Sequence, residues 1–291
     1  MPAMSAATPP APAPETDAWP TCQWDALSTR DFSARADTAL LARTVAVLPL
    51  GATEQHGPHL PLGVDAAITR GIVQAAQQRW AQQPPAQRPP VLFLPLQAIG
   101  FSPEHAAFAG TLTLSASTIV ALWNDIGASV AASGVQRLLL FNSHGGQTSV
   151  MDIVARQLRQ AHGLLTYSSS WYQLPRSQAP QAQTSAHEAR FGIHGGEEET
   201  SIMLHLHPEQ VCMAQAQHFR TSAEQRAQRY RILGNGHSAK MGWMMQDYNR
   251  QGAAGNALAA SAAKGELLVQ QAASELLALA QEISALDWPM A

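Results

Sequence analysis

Residues 136–142 read QRLLLFN, and residues 143–147 directly after them read SHGGQ. A short, nearly continuous apolar run closed by polar residues and a Gly pair fits a strand covered on both faces. Parallel sheets flanked by helices are built from such strands. Residues 44–50 (TVAVLPL) have the same character, and residues 91–96 (VLFLPL) repeat it, with Pro95 marking the end. Residues 164–168 form a weaker fourth run. Helical spacing covers residues 66–82, residues 115–133 up to Gly134, and residues 148–162. Residues 199–207 fit either a helix or a strand, and residues 257–286 read as a long helix rich in Ala and Leu. Strands alternating with helices imply parallel pairing and a layered α/β fold, with the strand order left open.

The chain has 291 residues, which allows two domains, but a single α/β domain of this size is the simpler reading. Residues 1–20 (MPAMSAATPPAPAPETDAWP) are dominated by Pro and Ala and read as a disordered tail, leaving residues 21–291 as one domain. The tail lacks the basic start and apolar core of a signal peptide. No apolar run approaches the roughly 20 residues that span a bilayer. Residues 82–90 and 173–185 read as surface connections, and no internal repeat is present. Hydrophobic residues make up 46% of the chain and charged residues 13%, so a globular protein with an unusually uncharged polar surface is expected. The net charge of −3 offers no footprint for nucleic acid and no cationic face for a membrane. Cys22 and Cys212 supply neither a disulfide framework nor a Cys-rich zinc site. A soluble, cytoplasmic protein is expected.

The chemistry concentrates at the ends of the strands. Residues 51–65 (GATEQHGPHLPLGVD) follow the first strand, and in open parallel sheets ligands bind beyond the carboxyl ends of the strands. Glu54 and His56, one residue apart, point to one side of an extended loop. Asp65 returns to the same region at the start of the next helix. Two carboxylates and an imidazole suit Zn, Mn or Fe(II), although acids in a loop can equally face water. His144 lies on the same edge of the sheet, and Gly145 and Gly146 permit close backbone approach to a ligand. A lone His at a strand end is usually structural. Two strand ends delivering ligand types together tip the balance towards metal. Residues 193–201 (IHGGEEETS) add His194 and the acids Glu197, Glu198 and Glu199, a run that usually keeps a solvated face. Glu104 and His105 follow the strand at residues 91–96 and either line the pocket or support it from behind. For Met241, Trp243, Met244 and Met245, core packing is a more ordinary role than a pocket wall.

Taken together, GATEQHGPHLPLGVD, SPEHAAFAGTL, FNSHGGQ and HGGEEETS resemble the creatininase (creatinine amidohydrolase) family, and residues 242–266 fit the same pattern. The resemblance runs from about Trp24 to about Leu286. It implies a three-layer α/β fold with a mostly parallel central sheet flanked by helices. It also implies a metal-dependent hydrolase in which metal-activated water attacks an amide or formamide C–N bond of a small molecule, other than a peptide bond. Two divalent ions per chain, Zn, Mn or Fe, belong to this picture. Glu54, Asp65 and His144 resemble the ligands of one ion, His56 and the shared Asp65 those of the other, and His194 the histidine that handles protons. A homo-oligomer, a hexamer by the same resemblance, is expected. The alternatives are a pathway-specific peptidase or deformylase of the same family, and a non-catalytic member that binds a small ligand or acts as a scaffold.

The chain also departs from the family pattern. In the creatinine-hydrolysing branch an acidic ligand stands two residues after the motif histidine, with a tyrosine between; here those places hold Gly146 and Gly145. Ile193 stands in place of a glutamate and Arg190 in place of a tryptophan, while Trp171 fits another tryptophan of that pocket. The metal centre is therefore expected to persist and the creatinine pocket is not. The missing acid has to come from elsewhere. Glu199 is the first choice because it begins the ETS element, Glu197 is the second, and Glu198 is expected to meet solvent or an ion-pair partner. A structural role for Glu199 at the start of the following element is the competing reading.

Overall fold

The structure, a computed structural model, describes residues 18–36, 38–176 and 183–288. Two short helices, α1 (Thr29–Ser33) and α2 (Ala39–Arg43), lead into strand β1 (Val45–Leu50) and helix α3 (Val64–Gln82). Next come β2 (Val91–Phe93), α4 (Ala116–Ala132), β3 (Arg137–Asn142), α5 (Thr148–His162) and β4 (Leu165–Ser170). The C-terminal part holds α6 (Ala186–Phe191), α7 (Glu197–Leu206), β5 (His218–Phe219), α8 (Ser222–Arg229), α9 (Met245–Tyr248), β6 (Gly255–Asn256) and α10 (Ala262–Ala285). The first four strands form one parallel sheet in the order β2-β1-β3-β4, and β5 and β6 pair as a separate antiparallel ribbon.

The strand order reverses at β1: the chain steps outward to β2, then returns past β1 to β3 and β4. With right-handed crossovers, a reversal of direction must carry the next helix to the opposite face. The core is divided accordingly. Val45 and Val47 of β1 and Leu139 and Phe141 of β3 pack with Ile68 and Ile72 of α3, Ile202 of α7 and Leu276 of α10. Ala46, Leu48, Leu138 and Leu140, the alternate residues of the same strands, pack with Ile119 and Trp123 of α4 and Val154 and Leu158 of α5. This is the expected three-layer α/β architecture, and its strands are apolar because both faces are covered. The reversal opens a crevice between the carboxyl ends of β1 and β3, the place where ligands bind in open α/β sheets.

Several expectations shift at their edges. β2 stops at Phe93, two residues before Pro95. β4 continues to Ser170, in register with β3 from Arg137↔Leu165 to Asn142↔Ser170, because its neighbour supplies the ladder that its own polar sequence does not advertise. The ambiguous segment near residue 200 is helical and begins at Glu197. The last helix starts at Ala262, where the Ser261 side chain accepts from the Lys264 N–H at 3.3 Å and caps it. The expected tail is too long. Residues 1–17 lie outside the described residues, but Trp19 is 2% exposed and donates its indole N–H to Thr44 Oγ1 at 2.8 Å. Of the polar stretch 173–185, residues 177–182 lie outside the described residues. Core packing fails for Met241 and Met244, which are exposed, and holds for Met245. The two exposed residues sit where the chain crosses the surface without a regular element.

Candidate metal centre

The loop after β1 is folded back on itself. The Glu54 N–H donates to the Leu62 carbonyl at 2.9 Å, and Thr53 bridges to Leu112. Glu54 and His56 are thereby buried, at 0% and 1% exposure. His56 donates from Nδ1 to the Glu54 backbone carbonyl at 2.9 Å, which leaves Nε2 as a lone pair. That Nε2 lies 3.7 Å from Asp65 Oδ2 and 3.9 Å from Glu199 Oε2. Asp65 occupies the first turn of α3, where the helix dipole favours a carboxylate. Ser143 at the end of β3 donates its hydroxyl to the Asp65 carbonyl at 2.7 Å and ties the two elements together. The turn at His144 is pinned by Asn142, whose side chain accepts from the His144 N–H at 2.9 Å and donates to its carbonyl at 2.7 Å. His144 Nδ1 then sits 3.2 Å from Glu54 Oε1 and 3.7 Å from Asp65 Oδ2.

Three imidazoles lie tilted against one another beside these groups. The ring of His194 lies 4.1 Å from that of His56 and 4.2 Å from that of His105. His194 donates from Nε2 to the Gln55 carbonyl at 2.7 Å, so Nδ1 faces inward, 3.8 Å from Glu54 Oε1. Gln55 also orients His105. Its side-chain carbonyl accepts from Gly57 N–H at 3.0 Å, so its amide donates to His105 Nδ1 at 2.7 Å. His105 Nε2–H consequently points at Glu54 Oε1, 3.3 Å away. Glu199 Oε2 accepts from the Gly195 N–H at 2.5 Å while facing His56. The other two acids of the run turn elsewhere. Glu197 pairs with Lys264 and Glu198 with Arg176, which removes Glu197 as a candidate and bears out the ion-pair reading of Glu198.

The electrostatics follow from burial. Desolvation, then the neighbouring His194, pushes His56 well below the ordinary imidazole range and His105 down to about 3. Burial and the adjacent Glu54 push Asp65 well above the carboxylate range, and burial raises Glu199 as well. Burial opposes the charge of His144 too, yet Glu54 and Glu104 beside it hold its proton on to well above the usual pH. Burial likewise opposes ionisation of Glu54, and the His144 cation outweighs it. Both oxygens of Glu54, Nε2 of His56, Oδ2 of Asp65 and Oε1 of Glu104 are buried with no hydrogen-bond partner among the described residues. Such orphaned groups cost about 1–3 kcal/mol each, more when charged, unless something satisfies them. Donor atoms of Glu54, His56 and Asp65 lie within 4.8 Å of one another, as do those of His56, His194 and Glu199 and those of Glu54, His105 and His194. Carboxylate oxygens mixed with imidazole nitrogens suit Zn, Mn or Fe, and the three triads overlap in one cluster. The residues fit the metals implied by the sequence.

The structure thus brings Glu54, His56, Asp65, His144, His194 and Glu199 to one place, with Glu104 and His105 against them. Trp171 is a correction. It is packed in the core with Leu268 and Ala272 of α10, and it does not line the centre. Its neighbour Tyr172 does approach: the space at the Gly145 Cβ position lies 3.7 Å from the Tyr172 hydroxyl. Gln55 and Tyr172 were not legible as site residues. Gln55 carries no ligand chemistry of its own, and its position between Glu54 and His56 was the only available signal.

A family model described as Creatininase: Creatinine amidohydrolase matches residues 28–280. A relative named mycofactocin precursor peptide peptidase, from Mycobacterium ulcerans (strain Agy99), is 36% identical over 165 residues. That match covers 57% of this chain and 59% of the relative's length. A solved structure described as "Creatininase Mn" superposes with a TM-score of 0.67 at 22% identity, covering 91% of this chain and 100% of that one. A mutant creatininase described as Zn-Zn type gives a TM-score of 0.69 at 22% identity, covering 91% and 99%. At such identities the likeness to both structures concerns the fold.

Proposed function

The chain belongs to the creatininase family, and we propose that it is a metal-dependent hydrolase that breaks an amide C–N bond. One observation carries this reading. Glu54, Asp65, Glu104 and Glu199 converge with His56, His105, His144 and His194 at the β1/β3 crevice, and none of these carboxylates pairs with a Lys or Arg among the described residues. Once Asp65, Glu199 and His144 give up their protons, this buried carboxylate cluster, which no Lys or Arg among the described residues neutralises, calls for a bound cation. Glu54, Asp65 and His144 would hold one ion, and His56, the shared Asp65 and Glu199 a second. When bound, the ions would supply Lewis acidity and an acidified water. The solved creatininases described with manganese and zinc support that choice of metals.

The chain's own groups would do the rest. His194, its Nε2–H held on the Gln55 carbonyl, presents Nδ1 to the centre. There it would take the proton of the attacking water and return it to the departing nitrogen. His105 would steady Glu54 through its Nε2–H. Tyr172, kept neutral because burial raises its pKa, offers an O–H beside Gly145 for the carbonyl oxygen as charge develops.

A small-molecule amide other than creatinine satisfies this geometry, and a peptide amide satisfies it with more support. The 36% identical relative is named a peptide peptidase. Beside the centre, a cavity of 210 Å³ lined by Arg190, Ile193, Trp243 and Tyr248 gives room for a substrate longer than a single ring. Trp243 links it to the centre, its ring edge-on to His105 at 6.2 Å. Metal analysis of the purified, metal-loaded protein tests the reading: up to two divalent ions per chain are expected, with loss in Asp65→Ala and His144→Ala. Unchanged stoichiometry in both variants would refute it.

A further inference from the structure

Gly146 stands two residues past His144, and the space a side chain would need there is already taken. A Cβ at position 146 would collide with the Glu104 carboxylate and with His144 Nε2. Glu104 arrives from another strand end, the turn Pro103–His105 after β2. Its side chain is 8% exposed, and Oε1 has no hydrogen-bond partner among the described residues. The two nitrogens of His144 face different ways. Nδ1 turns to Glu54 and Asp65. Nε2 turns to the Phe101 carbonyl at 3.0 Å, Ser102 Oγ at 3.3 Å and Glu104 Oε1 at 3.3 Å. The Nε2–H donates to the Phe101 carbonyl, with the Glu104 carboxylate in ion-pair range of the same nitrogen, which leaves Nδ1 as a lone pair aimed at a cation. A carboxylate in that far position raises the basicity of the ligand and fixes its ring.

We infer that Glu104 is the positioning carboxylate of His144, that Gly146 is the gap that admits it, and that the two positions set metal affinity as one unit. This rests on the metal centre proposed above. The atoms nearest to a Cβ at 146 belong to the Glu104 carboxylate and to His144, the proposed ligand itself, so a side chain there pushes Glu104 away from His144. Gly146→Ala and Glu104→Ala therefore remove the same interaction by different routes.

The test is zinc affinity, measured by competition with a chromophoric chelator, on wild type, Glu104→Ala, Glu104→Gln, Gly146→Ala and the double alanine variant. Circular dichroism and melting of the metal-free proteins establish that each is folded. Each single alanine variant is expected to bind zinc about 10–100-fold more weakly, the range for lost partners of metal-bound histidines. The double variant is expected to be no weaker than Glu104→Ala alone. Glu104→Gln, which keeps shape and loses charge, is expected to fall between wild type and Glu104→Ala. Losses that multiply in the double variant overturn the inference, as does wild-type affinity in Glu104→Gln or Glu104→Ala. Wild-type protein that binds no zinc overturns the functional reading instead.

Discussion

Asp65, Glu199 and His144 share one property: in the metal-free protein each holds its proton to a higher pH than the free side chain would. For the two acids burial is the main cause, whereas for His144 the surrounding carboxylates prevail over burial. Each must shed that proton to become a ligand. Metal affinity is thus expected to climb as pH rises through these elevated values and to flatten once the protons are gone. Calorimetry at neutral pH in buffers of different ionisation enthalpy should register protons released on binding; a pH-independent affinity without release would contradict the assignment. Glu199 can be tested separately. Glu199→Gln keeps an oxygen for the Gly195 N–H but removes the charge facing His56. Loading is expected to drop from two ions to one, with Glu197→Gln unchanged because Glu197 serves Lys264. The reverse pattern in elemental analysis would reassign the ligand.

At the scale of elements, α7 sets three consecutive acids to three tasks, because successive helical residues point about 100° apart. Glu197 meets Lys264 of α10, Glu198 meets Arg176, and Glu199 enters the centre. The direction of all three depends on how α7 sits against α10. At that contact Gly265 has no room for a side chain, since a Cβ there would run into the Ser201 carbonyl of α7, a backbone atom that cannot rotate away. Gly265→Ala is expected to destabilise the fold by about 1–3 kcal/mol through overpacking, read as a lower melting temperature of the metal-free protein. By shifting α7 it should also weaken the ion held by Glu199 more than the one held by Glu54. A melting temperature at or above wild type would show that the two helices separate freely.

For the whole molecule, the crevice at the strand reversal gathers candidate ligands from the ends of β1 and β3 and from α3 and α7 into one buried centre, with Glu104 and His105 beyond β2 against them. Bound metal should accordingly stabilise the entire fold. At free metal about 100 times the dissociation constant, roughly 2.7 kcal/mol is expected, seen as a melting temperature that rises with metal concentration and returns after chelation. Absence of any shift would mean that the ions touch only a surface. Substrate choice belongs to the same scale. By the family resemblance, Gly145, Gly146, Arg190 and Ile193 stand in place of residues of the creatinine pocket, so creatinine turnover is expected to stay below about 1 s⁻¹, under the ordinary enzyme range. Peptide amides and formamides, assayed by amine or formate release, should be hydrolysed faster. A creatinine rate above theirs would return the protein to the creatinine-hydrolysing branch.

The sequence alone determined the layered α/β class, the position of β1 and β3, and the convergence of Glu54, His56, Asp65 and His144. All of these depend on local regularities: apolar runs, helical period, and the rule that strand ends face ligands. It also determined that Gly146 could supply no acid. Tertiary structure decided what stands in that space. Glu104 and His144 are 40 residues apart and meet because β2 and β3 flank β1, an order no local pattern encodes. It likewise turns Glu199 rather than Glu197 towards His56, since Lys264 of α10 comes to rest against Glu197. The sequence offers Trp171 for the pocket and does not mark Tyr172, and only packing against α10 shows that Trp171 belongs to the core. Trp19 entered the fold for the same reason: a Pro-rich context argued for a tail, but Thr44 offers its indole a buried partner.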